Sequence, residues 1–155
     1  MKIHLHNGGQ AKVSDVQNIE NLFGNKLPND FKKFIDEFDG ATPEPNVYCC
    51  NNDEFFCGVN KFIPIEKICE EAELLKIPHC IPFAFAEGGN YVLLNLNNGS
   101  IVFWDHETEE KITIASFFID FIESLEPISS RLNTKDEPTI ESAWIDPEFL
   151  RQIQQ

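Results

Sequence analysis

Residues 88–110 read GGNYVLLNLNNGSIVFWDHETEE. Two apolar runs flank Asn98-Gly99, the dipeptide that favours a two-residue type I′ turn because both central positions need positive φ. A loop centred there pairs Leu96 with Ile101, Leu94 with Phe103 and Val92 with Asp105 on one face. The other face pairs Asn95 with Val102, Leu93 with Trp104 and Tyr91 with His106. The first face is almost wholly apolar and is expected to be the core. A one-residue slip would exchange the faces, so the turn carries the assignment.

Upstream, IPFAFA (Ile81–Ala86) reads as a strand ended by Glu87-Gly88-Gly89. A tight connection needing positive φ explains the glycine pair. It has neither the Lys-Ser/Thr of a phosphate loop nor G-x-G-x-x-G spacing. Residues 63–76, IPIEKICEEAELLK, repeat with helical period through Ile65, Ile68, Cys69, Ala72 and Leu75, and Pro78 ends the run. Residues 41–60 break into loop and short strand, with VYCC and EFFCGV the best strand candidates.

Nearer the start, SDVQNIENLFG carries Ser14 and Gln17 at capping-box spacing, with Gly24 suited to the end of a helix. Val16, Ile19, Leu22 and Phe23 share one face. KLPNDFKKFIDEFDG follows, with Pro28 in the first turn. Phe31, Phe34, Ile35 and Phe38 make its apolar stripe, and Gly40 closes it. These two helices form a helical hairpin. Beyond the central hairpin, ASFFIDFIESLEPI is expected to start at Ala115 or Ser116 and turn Phe117, Phe118, Phe121, Ile122 and Leu125 inward. Polar residues follow from Ser129, and Trp144, Ile145 and Phe149 mark a short helix docked on the body. The order is not an alternation of strand and helix, so it predicts an α+β single domain, residues 1–155, with helices packed on an antiparallel sheet.

Composition narrows the function. Twenty-six acidic and twelve basic residues give a formal net charge of −14 in 155 residues. That disfavours binding to nucleic acid or anionic membrane and suits a basic partner. No apolar leader or membrane-length run is present, so the chain is expected to be cytoplasmic. The five cysteines (Cys49, Cys50, Cys57, Cys69, Cys80) are an odd number without zinc-type spacing, and read as buried thiols. A soft-metal site at Cys49-Cys50 is the alternative. Asp105 and His106, with Glu107, Glu87 or His79, invite a metal or acid–base reading. The simpler account has Asp105 bonding turn amides and His106 pairing across to Tyr91. His4 and His6 share a face of a possible first strand. There is no G-x-S-x-G and no cysteine beside a base.

Three stretches together resemble one family. LPNDFKKFIDEFDG (Leu27, Pro28, Asp30, Phe31, Gly40) resembles the LP-x-[DE]-[YF] signature of the SUKH superfamily, the group of the fungal Smi/Knr cell-wall-synthesis regulators. IPFAFAEGGNYVLLNL…GSIVFWDHE (Gly88, Gly89, Asn90, Gly99, Trp104, His106) resembles that family's central motif, and SFFIDFIESL (Phe117) its closing one. The resemblance spans roughly residues 16–125, with a family-like core over 14–126 and an extension over 127–155. Asp39-Gly40-Ala41 stands where Asn-Gly-Gly is usual, and two glycines stand for three at Gly88-Gly89. The resemblance implies binding without catalysis, cofactor or metal. Bacterial members are mostly immunity proteins that bind and block a cognate toxin domain, often a nuclease or deaminase; fungal members are regulatory scaffolds. A metal-dependent hydrolase is the remaining alternative. Asp53, Glu54, Glu87, Asp105, Glu107, Glu109 and Glu110 are the expected partner-binding residues, since an acidic surface imitates a nucleic-acid backbone and steers a basic partner.

Overall fold

Six consecutive strands, each antiparallel to the next, make one sheet: β3 (Val47–Cys50), β4 (Phe55–Phe62), β5 (Cys80–Ala86), β6 (Tyr91–Asn95), β7 (Ile101–Trp104) and β8 (Lys111–Ala115). The structure is a computed structural model that describes residues 3–50 and 55–130. Asp53, Glu54 and the Trp144–Phe149 segment lie outside the described residues. A second, two-stranded sheet pairs β1 (His4–His6) with β2 (Thr42–Glu44). Helices α1 (Val13–Phe23) and α2 (Asn29–Phe38) precede the large sheet, α3 (Ile65–Leu75) connects β4 to β5, and α4 (Phe118–Ser124) follows β8. The class is α+β, as the element order predicted.

Parity along the strands sets the layers. Val92, Leu94, Ile101 and Phe103 point into the main core with Phe31, Phe34, Phe83, Phe118 and Phe121. Phenylalanines fill that core edge to face: Phe34 lies 4.8 Å from Phe62 and 5.0 Å from Phe118, ring centre to ring centre. Leu93, Val102 and Cys80 point to the opposite face, where the end of α3 covers them with Leu75 and Ile77. Both faces of the hairpin are therefore buried, not one.

The hairpin register differs from the expected one by two residues. Leu94 faces Ile101, Val92 faces Phe103 and Tyr91 faces Trp104. Only Gly99 has positive φ, +77°, whereas a type I′ turn would need Asn98 left-handed as well. The asparagines are the reason. Asn95 Oδ1 accepts the Asn97 N–H at 2.9 Å and Asn98 Oδ1 accepts the Ser100 N–H at 3.0 Å. Such local bonds favour a wider turn, closed by Gly99 N–H to the Asn95 carbonyl at 2.8 Å. Because two is even, the core face survives the change.

Other expectations shift locally. Helix α1 starts at Val13 with Lys12 at the cap, so Ser14 caps nothing, and Leu22 is 58% exposed. Pro28 stands one place before α2, at its cap. Strand β8 occupies residues 111–114, which carried no assignment, and takes Ala115, one of the two expected helix starts; α4 therefore begins only at Phe118 and leaves Phe117 exposed at its cap. Extended φ at Phe117 turns that ring away from the core and its neighbour Phe118 into it.

None of the four described helices is capped by the side chain at its own cap position, and at α3 and α4 that position holds Pro64 and Phe117, which cannot serve. Aspartates from the two ends of α2 fill the gap. Asp39 Oδ1 accepts the Ile65 N–H at 2.8 Å, and Asp30 Oδ2 accepts the Ile119 N–H at 3.2 Å. Gly40 (φ +70°) leaves no room for a side chain beside the first of these, since a Cβ would stand 2.9 Å from Pro64 Cγ.

Candidate interaction surface at the acidic end of the sheet

Strand directions bring two connections to one end of the sheet. The Glu87–Asn90 turn joins β5 to β6, and residues 105–110 join β7 to β8. Asn90 clasps them together. Its Oδ1 accepts the His106 backbone N–H at 3.1 Å and lies 2.8 Å from His106 Nδ1. An amide oxygen only accepts, so Nδ1 carries the hydrogen. The imidazole also stands 3.5 Å from where a Gly89 Cβ would be, and Gly88 and Gly89 both have positive φ. The glycine pair thus supplies a left-handed bend against which the histidine rests.

Asp105 builds the next turn. Its Oδ1 accepts the N–H groups of Glu107 at 2.8 Å and Thr108 at 3.1 Å, and these two bonds hold its carboxyl below the usual range. Glu109 N–H reaches the Asp105 carbonyl at 2.8 Å, with Glu109 itself left-handed. Trp104 lies against Tyr91, ring centres 6.0 Å apart, and the Tyr91 hydroxyl donates to Glu71 of α3 at 2.9 Å. Desolvation first, and the Glu71 carboxylate second, push that phenol up to about 12.

The sequence-predicted acids divide by what they touch. Asp105 is bound to backbone amides. Glu87 turns toward β4, where Oε2 accepts the Gly58 N–H at 3.1 Å. Glu107, Glu109 and Glu110 are exposed, and among the described residues no ion pair joins them to a base. The other motif residues sit as follows: Leu27 and Phe31 in the core, Pro28 and Asp30 at the start of α2, Gly40 beside Pro64.

The acid–base alternatives do not assemble. His79 precedes β5, at the end of the sheet opposite Glu87. His106 answers to Asn90, not to Tyr91, as the revised register requires. Cys49 and Cys50 point to opposite faces of β3, and burial pushes the Cys50 thiol up to about 12. His6 Nε2 contacts Glu44 at 3.1 Å across the small sheet. Among the described residues no group of three His, Cys, Asp or Glu side chains is placed to hold a metal. No helix among them is long and apolar enough to cross a membrane. Sequence reasoning gave Asn90 no contact and did not see Asp30 and Asp39 as caps. The available signal was the incapable cap residue before each helix, Pro64 and Phe117.

Comparison with known proteins agrees with this geometry. Residues 10–124, from the strand-linking segment before α1 to the last turn of α4, match the family described as SMI1 / KNR4 (SUKH-1). The chain belongs to this family. It is also similar to a SPbeta prophage-derived uncharacterized protein, YokK, of Bacillus subtilis (strain 168), with 26% identity over 145 residues covering 74% of this chain and 76% of the relative. The family match contains both connections of the acidic end and both capping aspartates, and it stops before the extension.

Proposed function

We propose that this SUKH-1 chain is a cytoplasmic immunity protein that binds a cognate toxin domain one to one and blocks it, with the acidic end of the sheet facing the toxin. The observation that carries this reading is the posture of Glu107, Glu109 and Glu110. They project from a loop pinned at its start by the Asp105 turn and the Asn90–His106 clasp, and closed by the Asp105 N–H to the Glu110 carbonyl at 3.0 Å. A preordered loop loses little entropy on binding, and unpaired carboxylates attract a basic surface such as a nuclease uses to grip phosphate. The net charge of −14 extends the attraction, and the prophage origin of a relative fits a gene carried with a toxin.

The test is association with the toxin domain encoded beside the gene, read by surface plasmon resonance and by protection of a host expressing that toxin. Reversing Glu107, Glu109 and Glu110 to Lys should slow association roughly tenfold or more at low salt and much less at high salt. Failure to bind or protect would refute the immunity reading and leave the regulatory scaffold. Binding with an association rate indifferent to salt would refute the acidic face alone.

A further inference from the structure

Helices α2 and α4 leave a groove of about 420 Å³ between them, floored by Phe34, Phe38, Phe118 and Ile122 and edged by Ile119, Lys33 and Glu37. Helix α4 and its flanks also expose apolar side chains, Ile119 at the groove itself. Of the eight large hydrophobic residues exposed among the described residues, three fall within residues 117–128: Phe117 at 58%, Ile119 at 43% and Ile128 at 63%. Scattered exposed apolar residues are ordinary, but a groove with an apolar margin calls for a cover.

We infer that the cover is the chain's own C-terminal segment, Trp144–Leu150, seated between α2 and α4. Twenty-five residues follow Ser130. They open with the mostly polar stretch RLNTKDEPT, whose one apolar residue is Leu132, and their large apolar residues then gather at Ile140, Trp144, Ile145, Phe149, Leu150 and Ile153. As a sequence pattern, Asp146-Pro147 matches a helix-start signal, and Ile145 and Leu150 stand at hydrophobic-staple spacing around it. The segment therefore carries its own fold-back signal and an apolar face wanting burial. Asp146 and Arg151 bracket that face with both signs of charge, as Lys33 and Glu37 do at the groove.

Reach favours the same occupant. The α4 wall ends at Ser124, twenty residues before Trp144, and the 14 residues from Ser130 to Trp144 alone span up to about 46 Å when extended. Tethering places the segment at an effective concentration on the order of millimolar, which a second copy or a free partner does not match at ordinary concentrations. The family match covers residues 10–124, so both walls of the groove lie within it and the segment lies beyond it.

The experiment places the photoreactive residue p-benzoylphenylalanine at position 119 of the full chain, where the native isoleucine is exposed and the fold tolerates it. After irradiation, trypsin should yield peptide 112–131 joined to peptide 136–151 from a single molecule. A cross-link into a second copy, to another part of the chain, or to solvent alone overturns the assignment. A second measurement does not depend on the unnatural residue. In the Trp104→Phe chain, the remaining Trp144 should emit as a buried indole, and adding Ile119→Asp should move the emission to the wavelength of the unfolded chain without loss of far-ultraviolet circular dichroism. Emission already at that wavelength, or buried and unmoved by Ile119→Asp, also overturns it.

Discussion

Glu87 occupies the space that a side chain at Gly58 would fill: its carboxyl carbon lies 2.8 Å from the position of a Gly58 Cβ, and its Oε2 accepts the Gly58 N–H. The pair couples the strand edge of β4 to the turn that begins the acidic end. Gly58→Ala should expel the carboxylate, and Glu87→Ala should leave the buried amide without its acceptor, each at a cost of about 1–3 kcal/mol. Since both remove one interaction, the double substitution should cost less than the sum, by at least roughly 0.5 kcal/mol in urea unfolding. Additive losses would contradict the pairing.

Leu94 is fully buried opposite Ile101. Leu94→Asp should lose several kcal/mol, enough to unfold the domain, because the carboxylate has no partner there. The revised register is tested separately by double-mutant cycles to alanine. Coupling should be larger for Leu94 with Ile101, its direct neighbour, than for Leu94 with Phe103, its diagonal one. The reverse order would restore the two-residue loop.

Desolvation raises the Asp39 carboxyl above its ordinary range, more than the Ile65 N–H lowers it. A carboxyl whose folded pKa is raised favours the fold below its unfolded pKa, and that contribution is lost as pH rises through the folded one. Asp39→Asn keeps an oxygen for the cap without the buried charge. The Asn variant should therefore gain stability relative to the parent near neutral pH and lose the advantage in acid. A gap that widens on acidification would be inconsistent with a desolvated carboxylate.

Glu20 should behave oppositely. Its hydrogen bond from Lys26 at 2.6 Å, with help from the Leu27 N–H at 3.0 Å, lowers its pKa despite desolvation. Stability from a lowered carboxyl is present above the unfolded pKa and lost as pH falls through the folded one. Glu20→Gln should destabilise at neutral pH and converge with the parent in acid. Thermal unfolding across pH should give variant-minus-parent differences that slope in opposite directions for the two substitutions, and slopes of the same sign would refute one of the assignments.

Legibility from sequence followed the range of the interaction. Helices α2 and α3 were readable because Phe31, Phe34, Ile65 and Ile68 repeat at helical spacing within one segment. The inward face of the hairpin was readable because the Asn98-Gly99 turn set the strand parity, and the two-residue change in register leaves parity as it was. The loop length was not, since Asn95 and Asn98 had two local uses and the Asn-Gly signal stated only one. Phe117 and Phe118 are chemically alike, and only the extended backbone at the start of α4 decides which one is buried. At the acidic end, chain direction alone brought Glu87 and Asp105 to the same edge. The Asp105 bonds to turn amides were legible too, being local, whereas the Glu87 bond depends on Gly58, 29 residues earlier, which no local pattern encodes.

The two ends of α2 also bear on the order of folding. A seven-residue helix such as α4 has little stability of its own, and its second amide finds an acceptor only in a residue 89 positions earlier in the chain. The start of α3 depends likewise on Asp39. Neither start is complete before α2 has docked, so α2 acts as a template on which two later helices nucleate. Long-range closure is thereby built into the earliest helical turns, and substitutions at Asp30 and Asp39 should register in the refolding rate as well as in the final stability.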